Sequence, residues 1–184
     1  AHQNGLHADF SPKPLKDQPG NGFHINMSVK SVDGSDNLPF VIAGVLDKAV
    51  EMTAFLNPTP DSYMRFGNNK APKYISWSNE NRSPLVRIPA AVGEYRRAEL
   101  RSPDPTANPY LAFTLIIYVG LYGIKNQLKL PRASDFNLFK ASAETFDKFQ
   151  QLPDTLEAAR TLADQSEFIN EHIPKAILEI YCNK

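Results

Sequence analysis

From Phe23 to Lys30 (FHINMSVK) apolar and polar residues alternate, with Phe23, Ile25, Met27 and Val29 on one side and His24, Asn26 and Ser28 on the other. Successive strand residues point to opposite faces, so this period predicts a half-buried strand with a polar working face. The period then lengthens. Ile42, Val45, Leu46, Ala49, Met52 and Leu56 recur at helical spacing, which predicts one amphipathic helix from Leu38 to Leu56, stopped by Asn57-Pro58. Thr59 to Pro72 reads as a long loop that carries Arg65 and the turn signal Gly67-Asn68-Asn69. Lys73 to Ser78 and Leu85 to Ile88 predict two short strands around a polar loop, Asn79 to Ser83, that carries Arg82. Tyr95 to Arg101 predicts another strand. Asn108 ahead of Pro109 fits an N-cap with proline at the first helical position, and it opens a helix running to Gln127. That helix is apolar nearly all round and is expected in the core. Two more helices are expected, Pro153 to Gln165 and Ser166 to Tyr181, whereas Ala1 to Gly22 is broken by Pro12, Pro14, Pro19, Gly20 and Gly22.

Charge sharpens this picture at one place. Six of the eight arginines fall between Arg65 and Arg101. On the predicted strand Tyr95, Arg97, Glu99 and Arg101 share a face, which puts a carboxylate between two guanidiniums. A guanidinium matches carboxylates and phosphates with a planar fork and keeps its charge. Such a strand either holds an internal ion-pair network or receives a highly anionic ligand. Over the whole chain of 184 residues, 20 basic residues balance 20 acidic ones. A nucleic-acid binder carries a basic excess or stripe, so a small anionic ligand suits this chain better and no nucleic-acid partner is expected. The longest apolar run, Tyr110 to Ile124, is too short and interrupted to span a bilayer, and no signal peptide is visible. Cys182 is the single cysteine, so no intrachain disulfide is possible and a cytoplasmic setting is expected.

His24 is the histidine best placed for chemistry, on a polar strand face just after Gly20-Asn21-Gly22. It is either a hydrogen-bonded structural residue or a metal ligand. With Glu99 it makes half of a mixed nitrogen–oxygen site of the kind magnesium or manganese accepts. Gly20 and Gly22 either form an ordinary turn or let the backbone approach a ligand. Arg65 and Arg82 sit in loops, where binding residues often sit; Tyr74 and Trp77 read as packing residues. The opening AHQNGLHADF reads as mid-domain sequence, so residues 1–184 are expected to be part of a longer protein, with an N-terminal portion outside them.

Four segments, in order, resemble the C-terminal catalytic domain of glutamine synthetase: KPLKDQPGNGFHINMS, NPTPDSYMRF, SNENRSPLVRIP and RRAELRSPDPTANPYLAF. They cover about Ala1 to Gln127, and the tail adds no motif of its own. The resemblance implies an α+β fold, a curved and mainly antiparallel sheet backed by helices. It implies that ATP phosphorylates the glutamate γ-carboxylate and ammonia displaces the phosphate. By match to the motifs, His24 and Glu99 would bind magnesium or manganese. Arg65 would hold the glutamate α-carboxylate, with Gly20 near its amino end. Arg82 and Arg101 would grip the transferring phosphoryl group, with Arg101 also near glutamate. Ser28, Arg82, Arg87 and Arg97 would serve the nucleotide. Earlier metal-site carboxylates and a small N-terminal domain, which in the family completes each site within a ring of subunits, fall outside these residues. A second departure is local: where the family usually carries Glu-Ala-Pro, this chain has Asn69-Lys70-Ala71-Pro72 in a loop one residue shorter. Lys70 repels ammonium, which leaves open a larger amine as acceptor, or an acid such as Glu80 supplied from a neighbouring loop. A non-catalytic relative that keeps the scaffold for binding is the third reading.

Overall fold

The computed structural model describes residues 1–68, 71–79, 81–91, 93–134, 138 and 149–182. Among the described residues four short strands form one open sheet: β1 (Ile25–Met27), β2 (Trp77–Ser78), β3 (Val86–Arg87) and β4 (Ala98–Leu100), in the spatial order β1-β4-β3-β2. β4 runs antiparallel to both β1 and β3, and only β2 and β3 are parallel. The strand alternation is met: Ile25, Met27, Ala98 and Leu100 are buried, while Asn26 and Glu99 face away from the core. Asn26, Glu99 and Arg87 share one rung across three strands, so the sheet's outer face is a polar floor.

Seven helices back the inner face among the described residues: α1 (Leu38–Asp47), α2 (Ala49–Leu56), α3 (Pro60–Tyr63), α4 (Pro109–Lys125), α5 (Leu156–Asp164), α6 (Glu167–His172) and α7 (Lys175–Cys182). The mixed α+β class follows. The helix predicted from Leu38 to Leu56 is two helices, because Lys48 leaves helical geometry at φ −100° and ψ 12°. The halves have different partners: α1 lies on α4 and α2 lies on α5. At the α1–α4 crossing a Cβ on Gly123 would stand 2.0 Å from the Phe40 carbonyl oxygen, and one on Gly44 would stand 2.1 Å from that of Val119. Only glycine allows those two backbones to approach so closely.

Four other expectations change. The loop from Thr59 to Pro72 contains α3, closed by a capping box in which the Thr59 and Ser62 side chains serve each other's backbone. The helix expected from Ser166 to Tyr181 is α6 and α7; Ile173 turns extended because Pro174 follows it. The strand expected from Tyr95 to Arg101 shortens to β4, since Gly93–Tyr95 forms a 3-10 turn at Gly93 φ 61° and carries Tyr95 off the shared face. Finally, α4 is buried on one side only. Ala112, Leu115 and Val119 enter the core, while Tyr110, Phe113, Ile117 and Leu121 are exposed, because the described residues place partners on one face alone. Its start is as read: Asn108 Oδ1 accepts from the backbone N–H groups of Tyr110 and Leu111.

Candidate active site

The polar floor opens into a cavity of about 360 Å³. Gly20, His24, Arg65, Arg82, Arg87, Glu99 and Arg101 all line it, joined by Pro19, Gly22 and Ala71. The sheet explains why residues so far apart in sequence meet. Arg87 and Glu99 sit opposite each other on β3 and β4, and His24 precedes β1, the other neighbour of β4. Arg65 comes from the residue two beyond α3, its backbone N–H donating to the Ser62 carbonyl at 3.3 Å. Arg82 rides on the β2–β3 loop, which is pinned from inside: Ser78 Oγ accepts from the Asn81 N–H at 2.8 Å, and Asn81 Oδ1 from the Ser83 N–H at 2.9 Å.

Glu99 is the electrostatic centre. Its Oε2 accepts from Arg101 Nη1 at 3.1 Å and Arg87 Nη1 at 3.3 Å, and its Oε1 lies 3.0 Å from His24 Nδ1. Burial pushes the Glu99 carboxyl up, but Arg101 and His24 together outweigh it and hold it below its ordinary value. Burial, reinforced by the Arg101 charge, holds the His24 imidazole below its ordinary value despite Glu99. A neutral imidazole beside an ionised carboxylate is a nitrogen and oxygen donor pair of the kind a hard divalent cation accepts. Among the described residues no group of three His, Cys, Asp or Glu side chains stands ready for a metal ion, so this pair fits half of a donor set. Four guanidiniums against one carboxylate leave the cavity strongly cationic.

Arg65 is buried, 3% exposed, and burial lowers its proton affinity while Asp104 opposes that effect. Gly20 must be small: a Cβ there would stand 2.3 Å from the Pro12 carbonyl oxygen and 2.9 Å from Arg65 Cγ. Ser28 and Arg97 are not in the cavity. Ser28 borders a groove between β1 and α4, and Arg97 Nε donates instead to Asn26 Oδ1 at 3.2 Å. Lys70 and Glu80 lie outside the described residues. Sequence reasoning missed Asp104 and Asn57, both fully buried behind Arg65. Each hid in a turn signal, Ser-Pro-Asp-Pro and Asn-Pro, whose structural reading sufficed.

A cationic cavity with a histidine–carboxylate pair on a small mixed sheet is, in charge and in donor chemistry, complementary to an anionic ligand. Comparison with known proteins makes this specific. The family model for the glutamine synthetase catalytic domain matches residues 1–184. The glutamine synthetase of Staphylococcus aureus strain MW2 is 38% identical over 200 residues, covering 100% of this chain and 44% of that protein. That of Methanocaldococcus jannaschii is 38% identical over 197 residues, covering 98% of this chain and 43% of that protein. A solved structure of GmaS in complex with ADP superposes with a TM-score of 0.85 at 29% identity, over 99% of this chain and 46% of that one. Ligand-free GmaS gives a TM-score of 0.82 at 30% identity, over 100% and 44%. The chain belongs to the glutamine synthetase family, as part of its catalytic domain, and spans less than half the length of these relatives.

Proposed function

We propose that this chain is the C-terminal part of the catalytic domain of an ATP-dependent glutamate–ammonia ligase, which makes glutamine through γ-glutamyl phosphate. The observation that carries this reading is the convergence of Arg65, Arg82, Arg87 and Arg101 with the His24–Glu99 pair in one cavity. Phosphoryl transfer asks mainly for positioning and for neutralisation of developing charge. Arg65 holds the glutamate α-carboxylate against the Gly20 turn. Arg101 lies between glutamate and the phosphoryl group, which Arg82 approaches from the loop side. Arg87 meets the nucleotide phosphates, and Ser28 and Arg97, which lie outside the cavity, serve the rest of the nucleotide. Magnesium or manganese at His24 and Glu99, completed by donors from beyond the described residues, would supply charge neutralisation at the ATP phosphates. The whole protein is a cytoplasmic, ring-shaped homo-oligomer in this reading, with its N-terminal portion outside residues 1–184. No helix among the described residues is long and apolar enough to cross a membrane.

A larger amine as acceptor is the second reading, motivated by Lys70 standing where the family usually carries glutamate. One assay separates the two. The full-length protein is given ATP, magnesium and glutamate, then ammonium or a panel of primary amines, and phosphate release is followed. Ammonium-dependent release supports the first reading and release with an amine alone supports the second. Release with neither overturns both.

A further inference from the structure

We propose that Asp104 is a positioning residue for Arg65, fixing which nitrogen of the guanidinium faces the ligand; this rests on the reading of Arg65 as the glutamate carboxylate clamp. Asp104 is fully buried, and every contact it makes points inward. Its Oδ2 accepts from Arg65 Nη1 at 3.4 Å and from Asn57 Nδ2 at 3.0 Å. Its Oδ1 accepts from the Thr106 backbone N–H at 3.0 Å and from the Thr106 hydroxyl. Asn57 Nδ2 also donates to the Ser102 carbonyl at 2.9 Å, the same oxygen that accepts from Arg65 Nη1 at 3.1 Å. Asp104 is thus saturated and cannot serve a ligand directly.

Arg65 is the opposite case. Its Nη1 is spent on Asp104 and Ser102, while Nε is buried with no acceptor among the described residues. Nη2 stands 3.4 Å from where a Cβ on Gly22 would lie, against the glycine turn that lines the cavity. With Nη1 taken and Nε closed off by the packing around it, Nη2 is the nitrogen left to meet a carboxylate oxygen in the cavity through a charge-assisted hydrogen bond. Asp104 therefore decides the orientation of a clamp it never shares with the substrate.

The test uses the full-length protein and compares KM for glutamate with KM for ATP. Asp104→Asn keeps the size and the Asn57 and Thr106 neighbours but removes the charge that anchors Nη1. It is expected to raise the glutamate KM by about tenfold or more, as misplacing a binding group does, and to move the ATP KM by less than about twofold. A proportional change in both constants, or none in either, overturns the proposal. Where Asp104→Asn yields no folded protein, Thr106→Val, which removes one hydroxyl bond to the same carboxylate, is expected to give a smaller rise with the same selectivity. An unchanged glutamate KM there overturns it too. Arg65→Lys separates the two ideas. If it raises the glutamate KM while Asp104→Asn does not, Arg65 is a clamp that Asp104 does not position; if it leaves that KM unchanged, the clamp reading itself has failed, and the proposal with it.

Discussion

Glu99 and His24 show how a few charges set the working range of this protein. Both are held below their ordinary proton affinities, so both act in the same direction with pH. On acidification the unfolded chain protonates at His24 first, near the ordinary value of 6.5, while the folded chain lags. Stability therefore falls as pH drops from that value towards the lower folded one. Glu99 adds a second loss: its contribution is complete above the ordinary 4.5 and disappears as pH falls through its folded value. Melting temperatures of the 184-residue chain, followed from about pH 8 to about pH 3, are expected to decline in this order. His24→Gln is expected to flatten the upper part of the curve; an equally steep curve in the variant would contradict the assignment. At this scale much was legible. Arginine and glutamate in alternate positions already implied a charge cluster, and the structure shows an ion-pair network around Glu99 that borders an open cavity, with Arg87 rather than Arg97 as the second guanidinium. Asp104 was not legible, because the same residue type that opens a turn also anchors a cation, and only three-dimensional burial separates the two uses.

Helices and strands were readable where a chemical start or stop was weighed together with the period, and misread where the period was followed alone. Asn108-Pro109 and Ser166 announced true starts, and Pro174 broke a helix the apolar pattern alone had carried on to Tyr181. The division at Lys48 left no such mark, since it reflects two different packing partners rather than a local preference. The rest of α4's role rests on glycines. Gly123→Ala would drive a methyl into the Phe40 carbonyl, backbone against backbone, whereas at Gly120 the nearest obstacle is Val41 Cγ1 at 3.2 Å, a side chain that can yield. Overpacking of this kind costs roughly 1–3 kcal/mol and at times more. Urea denaturation is expected to show a clear loss for Gly123→Ala and a much smaller one for Gly120→Ala. Equal effects would mean that the two helices are not held at this distance in solution.

For the molecule as a whole, the exposed stripe of Tyr110, Phe113, Ile117 and Leu121 lies beside β1, whose outer edge has no strand partner among the described residues. An open edge next to an apolar face invites association. Residues 1–184 expressed alone are expected to self-associate in sedimentation experiments, and Ile117→Lys with Leu121→Lys to suppress it without lowering the melting temperature. A monomer at high concentration would count against this. The 102–104 segment works in the other direction, towards rigidity. Pro103 accepts from the Phe23 N–H at 2.8 Å, the Asp104 N–H reaches the Leu56 carbonyl at 3.3 Å, and Ser102 holds both Arg65 and Asn57. Three distant stretches of chain are moored to three consecutive residues, so none of them can lift away singly. The Asp104 amide is therefore expected to exchange with solvent deuterium only through global unfolding, while amides of the Arg82 loop exchange through small local openings. Measured by native-state hydrogen exchange, that contrast would make the cavity a slow floor beneath a fast wall. Ligands would then enter from the Arg82 side, and the mooring would stay shut throughout each visit.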